Sequence, residues 1–316
     1  MTPPASQDQT RTAPPDDAPL IATPLITAPL VSTQWLADHL GSDGVVIADA
    51  TVLSVAAEAS AADGTAAYVS GDEEYMVHGH IPGAVFADLI DEFSDRHAQF
   101  RFTRPNATQF ETAAAGLGVD NHTTLVVYDN SVGQWAARVW WLFRAFGHDR
   151  VAVLDGGLRK WVAEDRPMEF GYVAARAAGP FTASERPELW ADKASVSVVA
   201  TGESRGSLVC GLPAGEFRGE TRGHRARAGH IPQSISAPAS RLVDRDTNSF
   251  LPAPELQQLF SAVTADAPAI TYCAAGIAAA SDALALTILG HRDVSIYDGS
   301  LNEWAADANA PLVTSP

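Results

Sequence analysis

Cys273 is one of two cysteines in a chain of 316 residues, and its neighbours set what it can do. Ala269-Ile270-Thr271-Tyr272 reads as a short buried strand. Ala274, Ala275, Gly276, Ile277 and Ala278 follow as a loop of small residues, and a helix then runs to Gly290. A cysteine between a strand end and a helix start sits where main-chain N–H groups converge. That arrangement favours the thiolate over the thiol and holds an anion beside it. Small side chains let the backbone curl around the sulfur, and Gly276 permits conformations that other residues resist. Burial works the other way, so the donors must outweigh desolvation. The chemistry within reach is nucleophilic attack by sulfur on a small anion. A lone cysteine among Ala and Ile is equally the pattern of a small buried hydrophobe, so the rest of the chain has to decide.

The elements that would position this loop occur twice. Gly79-His80-Ile81-Pro82 returns as Gly229-His230-Ile231-Pro232, and Val126-Val127-Tyr128-Asp129 as Ile270-Thr271-Tyr272-Cys273. Phe146-Gly147-His148 matches Leu289-Gly290-His291, and Leu154-Asp155-Gly156-Gly157…Trp161 matches Tyr297-Asp298-Gly299-Ser300…Trp304. Four matches in one order, offset by 143–150 positions, indicate two homologous units. Val45–Asp49 and Leu208–Cys210 are continuous apolar runs, the pattern of parallel strands covered on both faces. Helices are expected over Trp135–Phe146 and Ala279–Leu289, each closing on Gly-His. The fold class is therefore α/β: two homologous domains, each a mostly parallel sheet with helices on both faces. The expected boundaries are a disordered Pro-, Thr- and Ala-rich tail over 1–29, a first domain over 30–167, a linker over 168–184 and a second domain over 185–316.

Comparing the copies separates their chemistry. The first has Asp129 where the second has Cys273, so only the second can accept a sulfur atom. Phe217–Arg227 carries four arginines against one acid, whereas the corresponding Tyr68–Tyr75 is acidic. The net charge of −17 argues against a nucleic-acid or anionic-membrane partner, so a pocket for small anions needs this local basic arm. A composition of 46% hydrophobic and 19% charged residues is that of a globular protein, and no run approaches a membrane helix. The N-terminal segment lacks signal-peptide features, and two cysteines make no disulfide framework; a cytoplasmic location is the expectation. No cofactor and no metal site is expected, since no His/Cys/Asp spacing suits one. His80 and His230 recur in both copies, which points to a structural role. Cys210, matching Asp49, is expected to be buried filler.

These motifs resemble the rhodanese superfamily, specifically the tandem-domain thiosulfate and 3-mercaptopyruvate sulfurtransferases, over nearly the whole chain after the tail. The resemblance implies a cysteine, Cys273, that accepts a sulfane sulfur as a persulfide. It would pass that sulfur to a thiophilic acceptor such as cyanide or a thiol, and the first domain would be catalytically silent. Arg218, in a Phe-Arg-Gly context, takes the place of the family's substrate-binding arginine. Arg222, Arg225 and Arg227 remain open for the second, and Ala274–Ala278 form the substrate-binding loop. That loop has no basic residue, which is nearer the mercaptopyruvate type, but Ala275 stands where that branch has a serine. Phe102 stands where a first-domain histidine is expected, and Asp91 is the candidate acid, so the side-chain relay is incomplete. The phosphatase relatives need a loop arginine that is missing here. The competing expectation is a non-catalytic module that binds or senses persulfide.

Overall fold

In the computed structural model the described residues are 26, 28–55, 67–223 and 225–314, so nearly all of the expected tail over 1–29 lies outside them. The first half runs β1 (Leu30–Val31), α1 (Thr33–Asp38), β2 (Val45–Asp49), β3 (Val52–Val55), β4 (Ala67–Ser70), α2 (Asp72–His78) and β5 (Ala84–Phe86). It continues through α3 (Ala107–Gly116), β6 (Thr124–Tyr128), α4 (Gln134–Ala145), β7 (Val151–Leu154) and α5 (Gly157–Ala163). The second half runs β8 (Trp190–Ala191), α6 (Lys193–Ala200), β9 (Ser207–Cys210), α7 (Ala214–Phe217) and β10 (Ser234–Ser236). Then come α8 (Ala253–Leu259), β11 (Ala269–Tyr272), α9 (Ala278–Ile288), β12 (Val294–Tyr297) and α10 (Ser300–Ala306).

Each half builds a five-stranded parallel sheet, in the order β1-β7-β6-β2-β5 and, correspondingly, β8-β12-β11-β9-β10. The central strands β6 and β11 are buried at every residue, which is why they read as unbroken apolar runs. The expected helices over 135–146 and 279–289 are α4 and α9, each beginning and ending one residue earlier.

The halves meet helix to helix. Residues 135–143 of α4 and 279–286 of α9 are buried without interruption, and the two helices pack on each other. A helix apolar on all sides belongs inside a core. One cluster accordingly runs unbroken from Phe93, Phe110 and Trp140 to Leu208, Leu284 and Trp304. A two-stranded antiparallel hairpin, β3–β4, is added to the first half only, among the described residues. Among those residues, no helix is long and apolar enough to cross a membrane.

Candidate active site

The tyrosine before each loop explains the Gly-His-Ile-Pro repeat. Tyr272 Oη donates to Ser234 Oγ (2.7 Å) and accepts from the Ile231 N–H (3.1 Å). Tyr128 Oη accepts from the Ile81 N–H (3.2 Å) in the first copy. The motif thus clamps the strand end from which Cys273 or Asp129 emerges. The histidines serve this frame. His230 stacks on Phe217 and bonds its carbonyl (2.7 Å), and His80 stacks on Tyr75 and bonds the Gly171 carbonyl (3.0 Å). Both rings are buried and structural.

Cys273 is fixed on its other side by the start of α10. Its N–H donates to Ser300 Oγ (3.2 Å), its carbonyl accepts from the Leu301 N–H, and the Ala274 carbonyl accepts from the Asn302 N–H (both 3.0 Å). The five residues 273–277 then turn into α9, with Gly276 at φ +79°.

The first copy shows what a loop of this length holds. The Asp129 carboxylate, fully buried, accepts from the N–H groups of Ser131 (2.8 Å), Gly133 (3.0 Å), Trp135 (2.9 Å) and Ala136 (3.0 Å), and from Ser131 Oγ (3.1 Å). Four main-chain donors converge on one anion, the arrangement that stabilises a charge without a cationic side chain.

Cys273 opens on a cleft of about 540 Å³ between the halves, although only 3% of it is exposed. Ala274, Ala275, Ile277 and Ala278 line the cleft beside it, whereas Gly276 turns away. Arg225 reaches this cleft and is itself buried. Its Nη1 is paired with Glu216 Oε2 (2.6 Å), and its Nε and Nη2 have no partner among the described residues. Arg225 thus places a buried guanidinium in the wall of the cleft, the group that pairs best with a planar anion.

The structure does not bring the other arginines there. Arg218, at the end of α7, forms an ion pair with Glu220 (2.7 Å) and lies outside the cleft. Arg222 is exposed and also outside it. Arg227 binds the carbonyls of Trp304, Ala305, Asp307 and Ala310, closing the end of α10. Asp91 pairs with Arg96 (3.6 Å) away from the cysteine, while Phe102 does line the cleft. The side-chain relay of the mercaptopyruvate type, incomplete in the sequence, is not assembled from Asp91, Phe102 and Ala275 either. Cys210 is fully buried on β9 and burial pushes its thiol up to about 12, which leaves it inert.

The first half supplies a wall that sequence reasoning missed: Tyr68 from the hairpin, Arg101, Gln134 and Trp135. Burial, and then the nearby Cys273 and Glu216, push the Tyr68 phenol above its ordinary range, so it stays a hydrogen-bond donor. The signal was available only in the pattern of exceptions, such as a lone cation between Phe100 and Phe102. Among the described residues no group of three or more His, Cys, Asp or Glu side chains could hold a metal.

Known proteins share this arrangement. The family model for the rhodanese-like domain matches residues 32–164 and 213–307. The 3-mercaptopyruvate sulfurtransferase of Escherichia coli is 34% identical over 282 residues, covering 88% of this chain and 95% of its own. The thiosulfate sulfurtransferase of Gallus gallus is 35% identical over 234 residues, covering 71% and 78%. The crystal structure of SseA from Escherichia coli superposes with a TM-score of 0.75 at 33% identity, covering 87% of this chain and 99% of that one. With its two parallel sheets and its cysteine loop, this chain belongs to the rhodanese family, as a sulfurtransferase built of two rhodanese-like domains.

Proposed function

We propose that Cys273 takes the thiol sulfur of 3-mercaptopyruvate, held by its carboxylate on Arg225, and passes it as a sulfane sulfur to a thiol or to cyanide. The observation that carries this reading is the buried Arg225 fork, with Nε and Nη2 unpaired, in the same cleft as the cysteine. A planar carboxylate matches one fork, and the walls around it, Phe102, Trp135, Leu212 and Ile277, are apolar. Thiosulfate concentrates two charges in a smaller ion, and the loop offers it no cationic side chain.

The Cys273 thiolate attacks the donor's sulfur, forming the S–S bond as the C–S bond breaks. The electron pair leaves as the enolate of pyruvate, which takes the proton that the donor's thiol gives up. The products are a Cys273 persulfide anion and pyruvate. Main-chain N–H groups of the loop carry the charge on the thiolate and then on the persulfide. A thiol acceptor attacks the outer sulfur, leaves as its own persulfide, and returns the Cys273 thiolate. The side-chain relay is dispensable because the proton travels with the donor.

Steady-state kinetics with the two donors side by side, and cyanide as acceptor, test the reading. A higher kcat/KM for 3-mercaptopyruvate, with ping-pong kinetics, is expected. A preference for thiosulfate overturns the donor assignment.

A further inference from the structure

The half without a cysteine sends one cation behind the cysteine loop. Arg138, in the middle of α4, is fully buried. Its Nη2 donates to the Phe102 carbonyl (2.7 Å) and to Asp298 Oδ1 (2.5 Å), and its guanidinium lies 5.1 Å from the centre of the Trp190 ring. Asp298 belongs to the second half, yet the first half satisfies both its oxygens, since Oδ2 accepts from the Arg104 N–H (2.9 Å). Two residues beyond Asp298, Ser300 takes the Cys273 N–H, and Leu301 binds the Cys273 carbonyl.

Arg138 also touches the loop directly. Its Nη1 has no hydrogen-bond partner among the described residues, and a Cβ placed on Gly276 would stand 3.1 Å from it and 3.3 Å from the Asp298 carbonyl. Gly276 turns away from the cleft because this pair fills the space behind it. The segment that Arg138 holds through Phe102 is the one that carries Arg101 and Phe102 into the cleft. A buried guanidinium with two donors unpaired is costly to keep, and an apolar residue of similar length would pack the α4–α9 interface more cheaply. Asp298 is its partner anion, and Asp298 leads directly into the start of α10 that holds Cys273.

We propose that Arg138 is a positioning residue for sulfur transfer, fixing the Cys273 loop between Asp298 and Gly276 and balancing the Asp298 charge that would otherwise stand behind the thiolate and persulfide. Only the turnover part of its test rests on the 3-mercaptopyruvate reading; the alkylation part stands without it.

The test compares the full chain with Arg138→Met and Arg138→Lys by two readouts: the rate of Cys273 alkylation by iodoacetamide at neutral pH, and kcat and KM with 3-mercaptopyruvate. In Arg138→Met, losing a charge at short range through protein should slow alkylation about tenfold. The kcat of that variant should fall about ten- to a hundredfold through misplacement of the loop, with KM within about twofold of the parent. Arg138→Lys keeps the charge without the fork, so alkylation should return to within about threefold while kcat stays depressed. Parental alkylation and kcat in Arg138→Met, with only the melting temperature lowered, would overturn the proposal. If Arg138→Met does not fold, Arg138→Lys decides alone: reduced kcat at unchanged KM supports the proposal, and parental kcat overturns it. Should the parent turn over no 3-mercaptopyruvate while the alkylation pattern holds, the donor reading fails and Arg138 keeps its role.

Discussion

The loops 129–133 and 273–277 have the same length, leave the same kind of strand and enter equivalent helices, and they differ in what they hold. The first encloses a carboxylate that is part of the chain and draws four main-chain donors to itself. The second offers a sulfur to a cleft, with an arginine beside it and another behind it. Duplication has thus left one loop closed on a carboxyl group of its own chain and one whose first side chain faces a cleft. The difference teaches that a loop of one length serves both halves, whereas the residue at its first position and the arginines around it decide what the half can do.

Exchanging the two residues should have the largest effect. Cys273→Asp should fold, since Asp129 shows that the loop accommodates a carboxylate, and should lose all turnover. Asp129→Cys, made in a Cys273→Ser background, should restore none, because position 129 is fully buried. Sulfur uptake at residue 129, read by mass spectrometry, would break the comparison. Next comes the arginine: Arg225→Met should raise KM about ten- to a hundredfold, the scale of a lost charge-assisted hydrogen bond, in donor kinetics. Arg218→Ala should stay within about twofold of the parent, because its partner is Glu220 on the surface.

Gly276→Ala probes the space behind the loop. The new Cβ meets both Arg138 and Asp298 at a φ that only glycine adopts freely, so kcat should fall about tenfold. The smallest effect is one of stability and pH. Asp282 occupies the place in α9 that Arg138 occupies in α4, and both its oxygens are buried without a partner among the described residues. Burial holds its carboxyl well above the ordinary value of 3.8. A raised carboxyl costs stability progressively as pH rises above the unfolded value, because the unfolded chain ionises and the folded one does not. Asp282→Asn should therefore raise Tm at pH 8 by roughly 2 °C, a gain that vanishes near pH 4. An equal gain at both pH values, by calorimetry, would show that the carboxyl is not the cause.

Much of this was legible in the sequence, for identifiable reasons. Parallel strands buried on both faces leave apolar runs that cannot be mistaken for amphipathic helices, and each Gly-His marks a helix end. The pairing of Asp129 with Cys273 followed from the repeat alone. The arginines were not legible in the same way. Arg218, Arg222, Arg225 and Arg227 lie in an irregular arm without periodicity, where the path of a few residues decides which side chain turns inward. The Glu216 that holds Arg225 stands nine residues before it, with nothing in the spacing to pair them. Arg138 was hidden because the helix around it reads as uniformly apolar. Its partners, Phe102, Asp298 and Gly276, lie in three separate segments that only the contact between halves brings together. A lone charge inside Trp135–Phe143 was the available signal.

The central claim, that the second loop holds a sulfur anion where the first holds a carboxylate, is tested most directly by intact-mass measurement. The full chain would be exposed to 3-mercaptopyruvate and then to a thiol. The account predicts a gain of one sulfur atom, located on Cys273 and removed by the thiol, with Cys210 unmodified. A chain that gains no sulfur, or carries it elsewhere, contradicts the account.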